Sequence, residues 1–213
     1  MLVRDRMTPD PITVTEETNI FDALDLMRRH RIRRLPVMRH GELVGIVTQL
    51  DLMRVAPSPA TTLSVFELNA LLAKMPVKDV MTREVFTTVP EATIEEAVLL
   101  MRDRQIGALP VMQGKKLAGI ITETNIMDAF IDLMGLKRAG SRVTLEVEDK
   151  VGVLADVAGV IRNLGVNILS CATYTPREGV GGVVVRLATP DPTPVVKELE
   201  SHGYKVVHAT ALA

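Results

Sequence analysis

An internal repeat constrains this chain more than any other feature of its sequence. Residues 3–53 return at residues 77–127 without insertion or deletion, and about four in ten of the paired positions are identical. The match is densest between residues 32–38 and 106–112, which share an Ile and then Leu-Pro-Val-Met. Such a tandem pair predicts a pseudo-symmetric unit, because each module buries its apolar face against the other. The groove between the modules is therefore the first place to expect a ligand.

Each repeat has the pattern of a short extended piece, a helix, two strands and a second helix. Asn19 in repeat one and Thr93 in repeat two are each followed three positions later by an acid, which is the signature of a capped helix start. Apolar residues then recur at helical spacing. The second helix opens at Thr48 or Thr122. The predicted strands are residues 11–15, 35–39 and 42–47 in repeat one and residues 85–89, 109–113 and 116–121 in repeat two. The predicted order is β-α-β-β-α in each repeat.

The C-terminal third of the chain repeats nothing and predicts a separate domain. Its apolar alternation, glycine punctuation and helical stripes give the order β-α-β-β-α-β, a ferredoxin-like plan. The fold class is therefore α/β (α+β). The predicted domains are repeat one over 1–56, a linker with a short helix at 65–74 over 57–76, repeat two over 77–131, a second linker over 132–141, and the C-terminal domain over 142–213.

Composition and charge exclude several classes of function. The formal net charge is −1 and there is no Trp, so neither a general field nor an aromatic platform favours nucleic acid. No stretch approaches the ~20 apolar residues that span a bilayer. The single cysteine rules out an intramolecular disulfide and fits a reducing compartment. We therefore expect a cytoplasmic protein that binds neither nucleic acid nor membrane.

The motifs of catalysis and metal binding are missing from the sequence. The four histidines have no metal-ligand spacing, and no nucleophile–base–acid set, catalytic carboxylate pair or phosphate-binding glycine loop appears. The sequence therefore predicts a protein that is not an enzyme and has no catalytic residues, metal or obligatory cofactor.

The repeats resemble CBS domains. The resemblance covers residues 1 to about 130 and rests on the Val-x-Asp-x-Met-Thr start, the Leu-Pro-Val strand, and the Gly-Ile-Val-Thr-x-x-Asp motif at the third strand and second helix. A pair of such domains resembles a Bateman module. The resemblance implies a regulatory ligand of the adenine-nucleotide or adenosyl type, such as AMP or ATP, in clefts between the repeats.

The C-terminal domain resembles an ACT domain through Asp149-x-x-Gly152-Val-Leu and, after the helix, Asn167-Ile168. These four positions are a possible amino-acid site. Alternatively, Asp149 to Gly152 is only a loop and Asn167 only a turn residue, since many such domains serve oligomerisation alone. The whole arrangement resembles CBS–ACT proteins of the acetoin utilization (AcuB) type, which implies a regulatory role but identifies no ligand.

Two readings are open for the motif Thr48-Gln-Leu-Asp51. The resemblance implies that Asp51 accepts from the ribose hydroxyls and that Thr48 meets ribose or phosphate, and a carboxylate suits a vicinal diol. Thr at N-cap with an acid at N3 is equally a helix cap that needs no ligand, contributing about 1 kcal/mol. Repeat two has Thr122 and Asn125 instead, so ribose recognition there lacks the charged acceptor.

Arg34 precedes the Leu-Pro-Val strand of repeat one, where the resemblance places the wall of a nucleotide cleft. A guanidinium at this position suits phosphate, whereas the alternative is a solvated basic helix end. We expect Arg34 to have no dedicated carboxylate partner. The same cleft is predicted to be completed by small or apolar surfaces of repeat two that sandwich an adenine, namely Phe86, Thr87, Ile106, Gly107 and Ala108.

The leading hypothesis is a non-catalytic regulatory protein. Its CBS-like pair binds an adenosyl ligand, and its ACT-like domain dimerises the chain and accepts an amino acid. The first rival is a dimerisation scaffold that controls an unidentified partner enzyme without sensing a ligand. A second rival is an accessory subunit of a transporter or channel. In the first two readings the chain is a homodimer, because an open-edged sheet leaves surface to bury.

Overall fold

The computed structural model describes residues 1–54 and 74–212. These residues belong to two compact units, Met1–Ile126 and Met127–Ala213, each with its own core. The short helix predicted at 65–74 lies almost wholly outside the described residues.

The first unit contains both repeats. Its elements are β1 (Thr8–Pro9), β2 (Val14–Thr15), α1 (Ile20–His30), β3 (Arg34–Arg39), β4 (Glu42–Thr48), α2 (Gln49–Arg54), α3 (Ile94–Arg104), β5 (Ala108–Gln113), β6 (Lys116–Thr122) and α4 (Glu123–Leu133), which runs on into the second unit. Two three-stranded sheets form, with the orders β2-β3-β4 and β1-β6-β5. The first predicted strand of repeat two is present as a single parallel bridge between Thr88 and Val111.

Helix ends follow the capping rules that the sequence suggested. The Asn19 side chain accepts from the Asp22 backbone N–H at 2.9 Å, and Thr93 forms a complete capping box with Glu96. Both first helices end in the left-handed conformation, at Arg31 (φ 54°) and Gln105 (φ 53°). The shared ends turn the chain in the same way in each repeat, so that β3 and β5 begin at equivalent places.

The segment that leads into repeat one completes repeat two. Val3 is fully buried in one core with Ala97 and Met101, and its N–H donates to the Ala92 carbonyl at 2.8 Å. β1 then pairs antiparallel with β6, placing Thr8 opposite Ile120.

The segment that leads into repeat two makes the reciprocal contacts with repeat one. Val77 and Met81 lie in the core with Ile20, and Thr82 exchanges two backbone hydrogen bonds of 2.9 Å with Ile46. The repeats are therefore interlocked by exchanged lead segments (residues 2–9 and 76–83). The repeat in the sequence gives no sign of this exchange.

The second unit confirms the ferredoxin-like plan. Its elements after α4 are β7 (Gly140–Glu148), α5 (Val153–Asn163), β8 (Ile168–Arg177), β9 (Val180–Leu187), α6 (Thr193–Ser201) and β10 (Lys205–Leu212). All neighbours in the sheet, whose order is β10-β7-β9-β8, are antiparallel. Alternate residues of β7, such as Leu145, pack with Ile161 and Leu199 of the helices. Strands β8 and β10 lie at the two edges.

Candidate functional site

Two clefts lie between the repeats of the first unit. Cleft A has a volume of about 500 Å³, and cleft B has about 400 Å³. Both fall within the range of pockets that hold small molecules. The described residues that line cleft A are Arg33, Arg34, Ile46, Thr48, Gln49, Leu50, Met53, Thr82, Glu84, Val85, Phe86, Gln105, Ile106, Gly107 and Ala108. Those that line cleft B are Thr8, Asp10, Pro11, Ile12, His30, Arg31, Ile32, Arg33, Arg34, Pro36, Ile120, Thr122, Thr124 and Asn125.

The clefts are pseudo-symmetric copies of each other. A shift of 74 positions carries Ile46 and Thr48 of cleft A onto Ile120 and Thr122 of cleft B. Each cleft is lined by the end of the third strand of one repeat, which is β4 in cleft A and β6 in cleft B. It is also lined by the residues just before and at the start of the second strand of the other repeat, which is β5 in cleft A and β3 in cleft B. The exchanged lead segments bring a third wall, which contributes Thr82 to cleft A. The exchange of segments is thus what closes each cleft.

Asp51 forms a helix cap with Thr48. Asp51 Oδ2 accepts from the Thr48 backbone N–H at 2.9 Å and from its hydroxyl at 2.7 Å, while the Asp51 N–H donates to Thr48 Oγ1 at 3.2 Å. Within residues 1–54 and 74–212 these bonds use only Oδ2, so Oδ1 is left for another donor. Thr48 lines cleft A, whereas Asp51 lies behind it, outside the lining. The cap therefore leaves one oxygen of Asp51 unused, although Asp51 is not among the described residues that line the cleft.

Asn125 reproduces the same cap in repeat two. Its Oδ1 accepts from the Thr122 N–H at 2.9 Å and from the Thr122 hydroxyl at 2.7 Å. An amide has one acceptor oxygen, and the cap uses it. Cleft B therefore has the geometry of cleft A without the spare carboxylate oxygen.

Arg34 is a partly buried cation that lies against Gly107. Its side chain is 23% exposed, and the nearest carboxylate, Glu123, is 3.9 Å away, which is too far for a hydrogen bond. A carboxylate therefore faces Arg34, contrary to expectation, although only through this long ion pair. A Cβ on Gly107 would collide with Arg34 Nη2 and lie 2.6 Å from Glu123 Oε2. The guanidinium thus occupies space that a side chain at position 107 would need.

Burial lowers the pKa of the Arg34 guanidinium, and the neighbouring charge of Arg33 lowers this pKa further, while Glu123 opposes the shift. The group still carries its charge at neutral pH, because an arginine titrates far above 7. A half-desolvated charge with one distant partner is a strong site for an incoming anion.

Most of the residues predicted for the first cleft line it. Arg34, Thr48, Phe86, Ile106, Gly107 and Ala108 do so, whereas Thr122 and Asn125 line cleft B. Thr87 is exposed and lines neither cleft. Arg104 stacks on the Phe86 ring at 4.5 Å from its centroid.

Several lining residues have no counterpart among those predicted from the sequence, because they come from the lead segments, from the acids that directly follow these segments, and from the second helix. Thr82, Glu84, Leu50 and Met53 of cleft A belong to this group, as does Asp10 of cleft B. The shared Met-Thr of the two lead segments was a usable signal. Once the exchange of the lead segments is known, this shared Met-Thr places the two segments at equivalent clefts.

A separate pocket of about 380 Å³ lies in the second unit, at the turn between β7 and α5. Asp149 and Gly152 line it, and Gly152 has the left-handed φ of 92°. Asn167 and Ile168 lie outside the lining, so the structure does not bring the four predicted positions together around this pocket. Tyr174, whose ring covers Gly182, forms the opposite wall.

Among the residues described, no group of three or more His, Cys, Asp or Glu side chains is placed to hold a metal ion. In the same ranges, no helix has both the length and the apolar character needed to cross a membrane.

Solved structures similar to this chain include one of a candidate acetoin utilization protein (AcuB) from Vibrio cholerae. That match has 31% identity and a TM-score of 0.54, and it covers 64% of this chain and 95% of that one. CBSX2 in complex with AMP matches at 28% identity and a TM-score of 0.52, covering 64% of this chain and 98% of that one. The CBS domain pair of MJ0100, bound to 5′-methylthioadenosine and S-adenosyl-L-methionine, matches at 26% identity and a TM-score of 0.52. That match covers 65% of this chain and 98% of that one.

Family models agree with the architecture. The CBS-domain model matches residues 3–58 and 77–132, and the ACT-domain model matches residues 141–206. Together they span both repeats and most of the C-terminal sheet. The predicted resemblance is confirmed: this chain belongs to the CBS-domain family, with a CBS pair followed by an ACT domain.

Proposed function

We propose that this chain is a non-catalytic regulatory protein whose CBS pair binds an adenosyl ligand in cleft A. The observation that carries the proposal is that the apolar walls of cleft A are joined by the partly buried guanidinium of Arg34 and by Thr48, whose cap partner Asp51, outside the lining, keeps one carboxylate oxygen unused by the cap. These three features suit a base, a phosphate and a ribose diol respectively. The similar structures with AMP and with 5′-methylthioadenosine and S-adenosyl-L-methionine support the same ligand class.

In the proposed complex the adenine packs against the apolar side chains of Ile46, Phe86 and Ile106. Asp51 Oδ1 accepts from the ribose while Oδ2 keeps the helix cap, and Arg34 donates to phosphate. Because the walls of cleft A come from both repeats, a bound ligand favours one arrangement of the halves. It shifts that equilibrium only by its difference in affinity for the two arrangements.

The ACT domain is proposed to dimerise the chain and to accept an amino acid near Asp149 and Gly152. Its sheet has free edges at β8 and β10, and edge strands with unpaired backbone groups favour pairing. The pocket at the β7–α5 turn suits a ligand of amino-acid size, and Gly152 lets the backbone approach it closely. A role in acetoin utilization, exerted through an unidentified partner enzyme, is part of this proposal.

The test of ligand binding uses a substitution that the chain itself supplies. Asp51→Asn gives repeat one the motif of repeat two, so the cap is kept and the spare charged acceptor is lost. Calorimetry is expected to show adenosine binding weakened by about 1.5–3 kcal/mol, the range for hydrogen bonds to charged groups. The melting temperature is expected to change little.

Asn125→Ala is the matched control in cleft B and is expected to affect adenosine binding less than Asp51→Asn does. Similar losses in both variants would place the ligand elsewhere. Thermal shift of the unaltered protein comes first, because a ligand at ~100 times its Kd stabilises by about 2.7 kcal/mol. No shift with AMP, ATP, adenosine or S-adenosylmethionine would refute the proposal.

The second candidate is a ligand-independent dimerisation scaffold that controls a partner enzyme. It is favoured by apolar side chains left exposed on the second helices, with Leu50 and Met53 on α2 and Phe130 and Leu133 on α4 all more than half exposed. Both candidates require self-association. Light scattering that gives a single subunit mass at micromolar concentration would refute the dimer in either.

A further inference from the structure

The two clefts have a wall in common. Among the described residues, Arg33 and Arg34 are the members shared by both linings. Their counterparts in repeat two are Gly107 and Ala108, which carry no charge. Both clefts are therefore lined by the same two guanidinium groups, and both of these groups belong to repeat one.

Little within the protein competes for these two charges. Arg34 has Glu123 at 3.9 Å, and Arg33 has no carboxylate within 4.0 Å in the described part of the chain. The residue that directly follows each lead segment is an acid, Glu84 in the lining of cleft A and Asp10 in the lining of cleft B. The acids give the clefts one negative group each, and Arg31 adds a further cation to cleft B alone, so the arginine wall is the positive charge that the two described linings share.

We infer that the Arg33–Arg34 wall couples the two clefts, so that anionic ligands bind them with negative cooperativity while uncharged nucleosides bind them independently. The inference rests on the proposed adenosyl function. A phosphate in one cleft takes up the donors of Arg34 and neutralises the wall, and a second phosphate meets fewer donors and a nearby like charge. By linkage the penalty is the same whichever cleft is filled first.

Variants that block one cleft at a time make the coupling measurable. Leu50 of cleft A and Thr124 of cleft B are equivalent, exposed lining residues at the start of the second helices. Leu50→Trp and Thr124→Trp are expected to fill their clefts, each removing one equivalent of bound adenosine without lowering the melting temperature. Titration of each blocked protein with AMP by calorimetry then gives the affinity of the other cleft alone.

In the unaltered protein the weaker AMP-binding step is expected to have a Kd at least about tenfold higher than the Kd of the blocked variant that binds AMP more weakly. This factor corresponds to the loss of one hydrogen bond to a charged group. The adenosine isotherm is expected to equal the sum of the two blocked isotherms. Arg34→Ala is expected to weaken AMP in both clefts and to make its isotherm additive as well. Arg102→Ala, a charge removed from the exposed face of α3 outside both clefts, is the control and should leave the tenfold penalty in place.

Several results would overturn the coupling alone. The first is an AMP isotherm of the unaltered protein that equals the sum of the two blocked isotherms. The second is a loss of AMP affinity in only one of the two clefts of Arg34→Ala. The third is that AMP and adenosine both bind in the same single cleft. If adenosine fills both clefts but AMP fills only one, and Arg34→Ala admits a second AMP, the coupling is supported in its extreme form. Absence of any adenosine or AMP binding would instead refute the proposed function and this inference with it.

Discussion

Val3→Ala is expected to loosen repeat two more than repeat one, although Val3 precedes repeat one in the sequence. Val3 is fully buried beside Ala97 and Met101 of α3, and its equivalent Val77 is fully buried in the core of repeat one. Truncation to Ala removes two methyl groups, worth about 0.8 kcal/mol each in transfer free energy. The cavity left behind adds to this loss, so the expected destabilisation is about 2–3 kcal/mol.

Urea denaturation measures the total loss, and hydrogen exchange locates it. In Val3→Ala the amides of α3 are expected to exchange about 30-fold faster or more, since 2 kcal/mol corresponds to that factor. Val77→Ala is the mirror experiment, with the larger effect expected in α1. Equal acceleration in both helices would show that the two repeats open as one cooperative unit. A larger effect of Val3→Ala in α1 than in α3 would refute the exchange of lead segments.

Two further changes test local features. Gly119→Ala places a Cβ 2.5 Å from Met7 Sδ and 2.9 Å from a backbone oxygen of β1, so we expect about 1–3 kcal/mol of destabilisation by urea denaturation. A Cβ at Gly159 on α5 meets nothing within 4 Å, so Gly159→Ala is expected to stabilise the protein by about 0.5–1 kcal/mol. If Gly119→Ala and Gly159→Ala changed the free energy of unfolding in the same direction, the packing argument would be contradicted. Hydrogen bonds from Thr93 lower the pKa of Glu96 below its ordinary value of 4.5, so its stabilising effect is present above about pH 4.5 and lost as the pH falls through the folded-state pKa. Glu96→Gln should therefore lower the melting temperature at pH 7, and this effect should shrink as the pH falls below about 4.5; an effect of the same size across this range would show that charge is not what stabilises the cap.

The element order and the family could be predicted because they depend on local signals. Caps such as Asn19 and Thr93, the glycines at turns and the apolar periodicity all act over a few residues, and the repeat supplied each signal twice. The exchange of lead segments could not be predicted. Val3 fits the core of either repeat equally well by composition, and only the three-dimensional path of the chain selects one.

The candidate site shows the same division. The adenosyl contacts of Arg34, Thr48 and Asp51 stay predictions, although the structure places Arg34 and Thr48 in cleft A and Asp51 behind Thr48. Thr87 is predicted to be one of the surfaces that sandwich an adenine, but it is exposed and lies outside the lining, whereas its neighbour Phe86 lines the cleft. The alternative prediction for Thr48 and Asp51 is a helix cap, and the structure shows the hydrogen bonds of that cap.

The contact between Arg34 and Gly107 also makes one repeat constrain how the other can change over generations. A Cβ at position 107 would collide with the end of the Arg34 side chain, so a substitution there requires the guanidinium to move unless Arg34 has already gone. Position 34 can lose its arginine first, whereas a later return would require the glycine to be still in place. Among descendants of this chain, loss of Arg34 is therefore expected to come before substitution of Gly107 more often than after it. The two copies of an ancestral module have in this way ceased to be interchangeable.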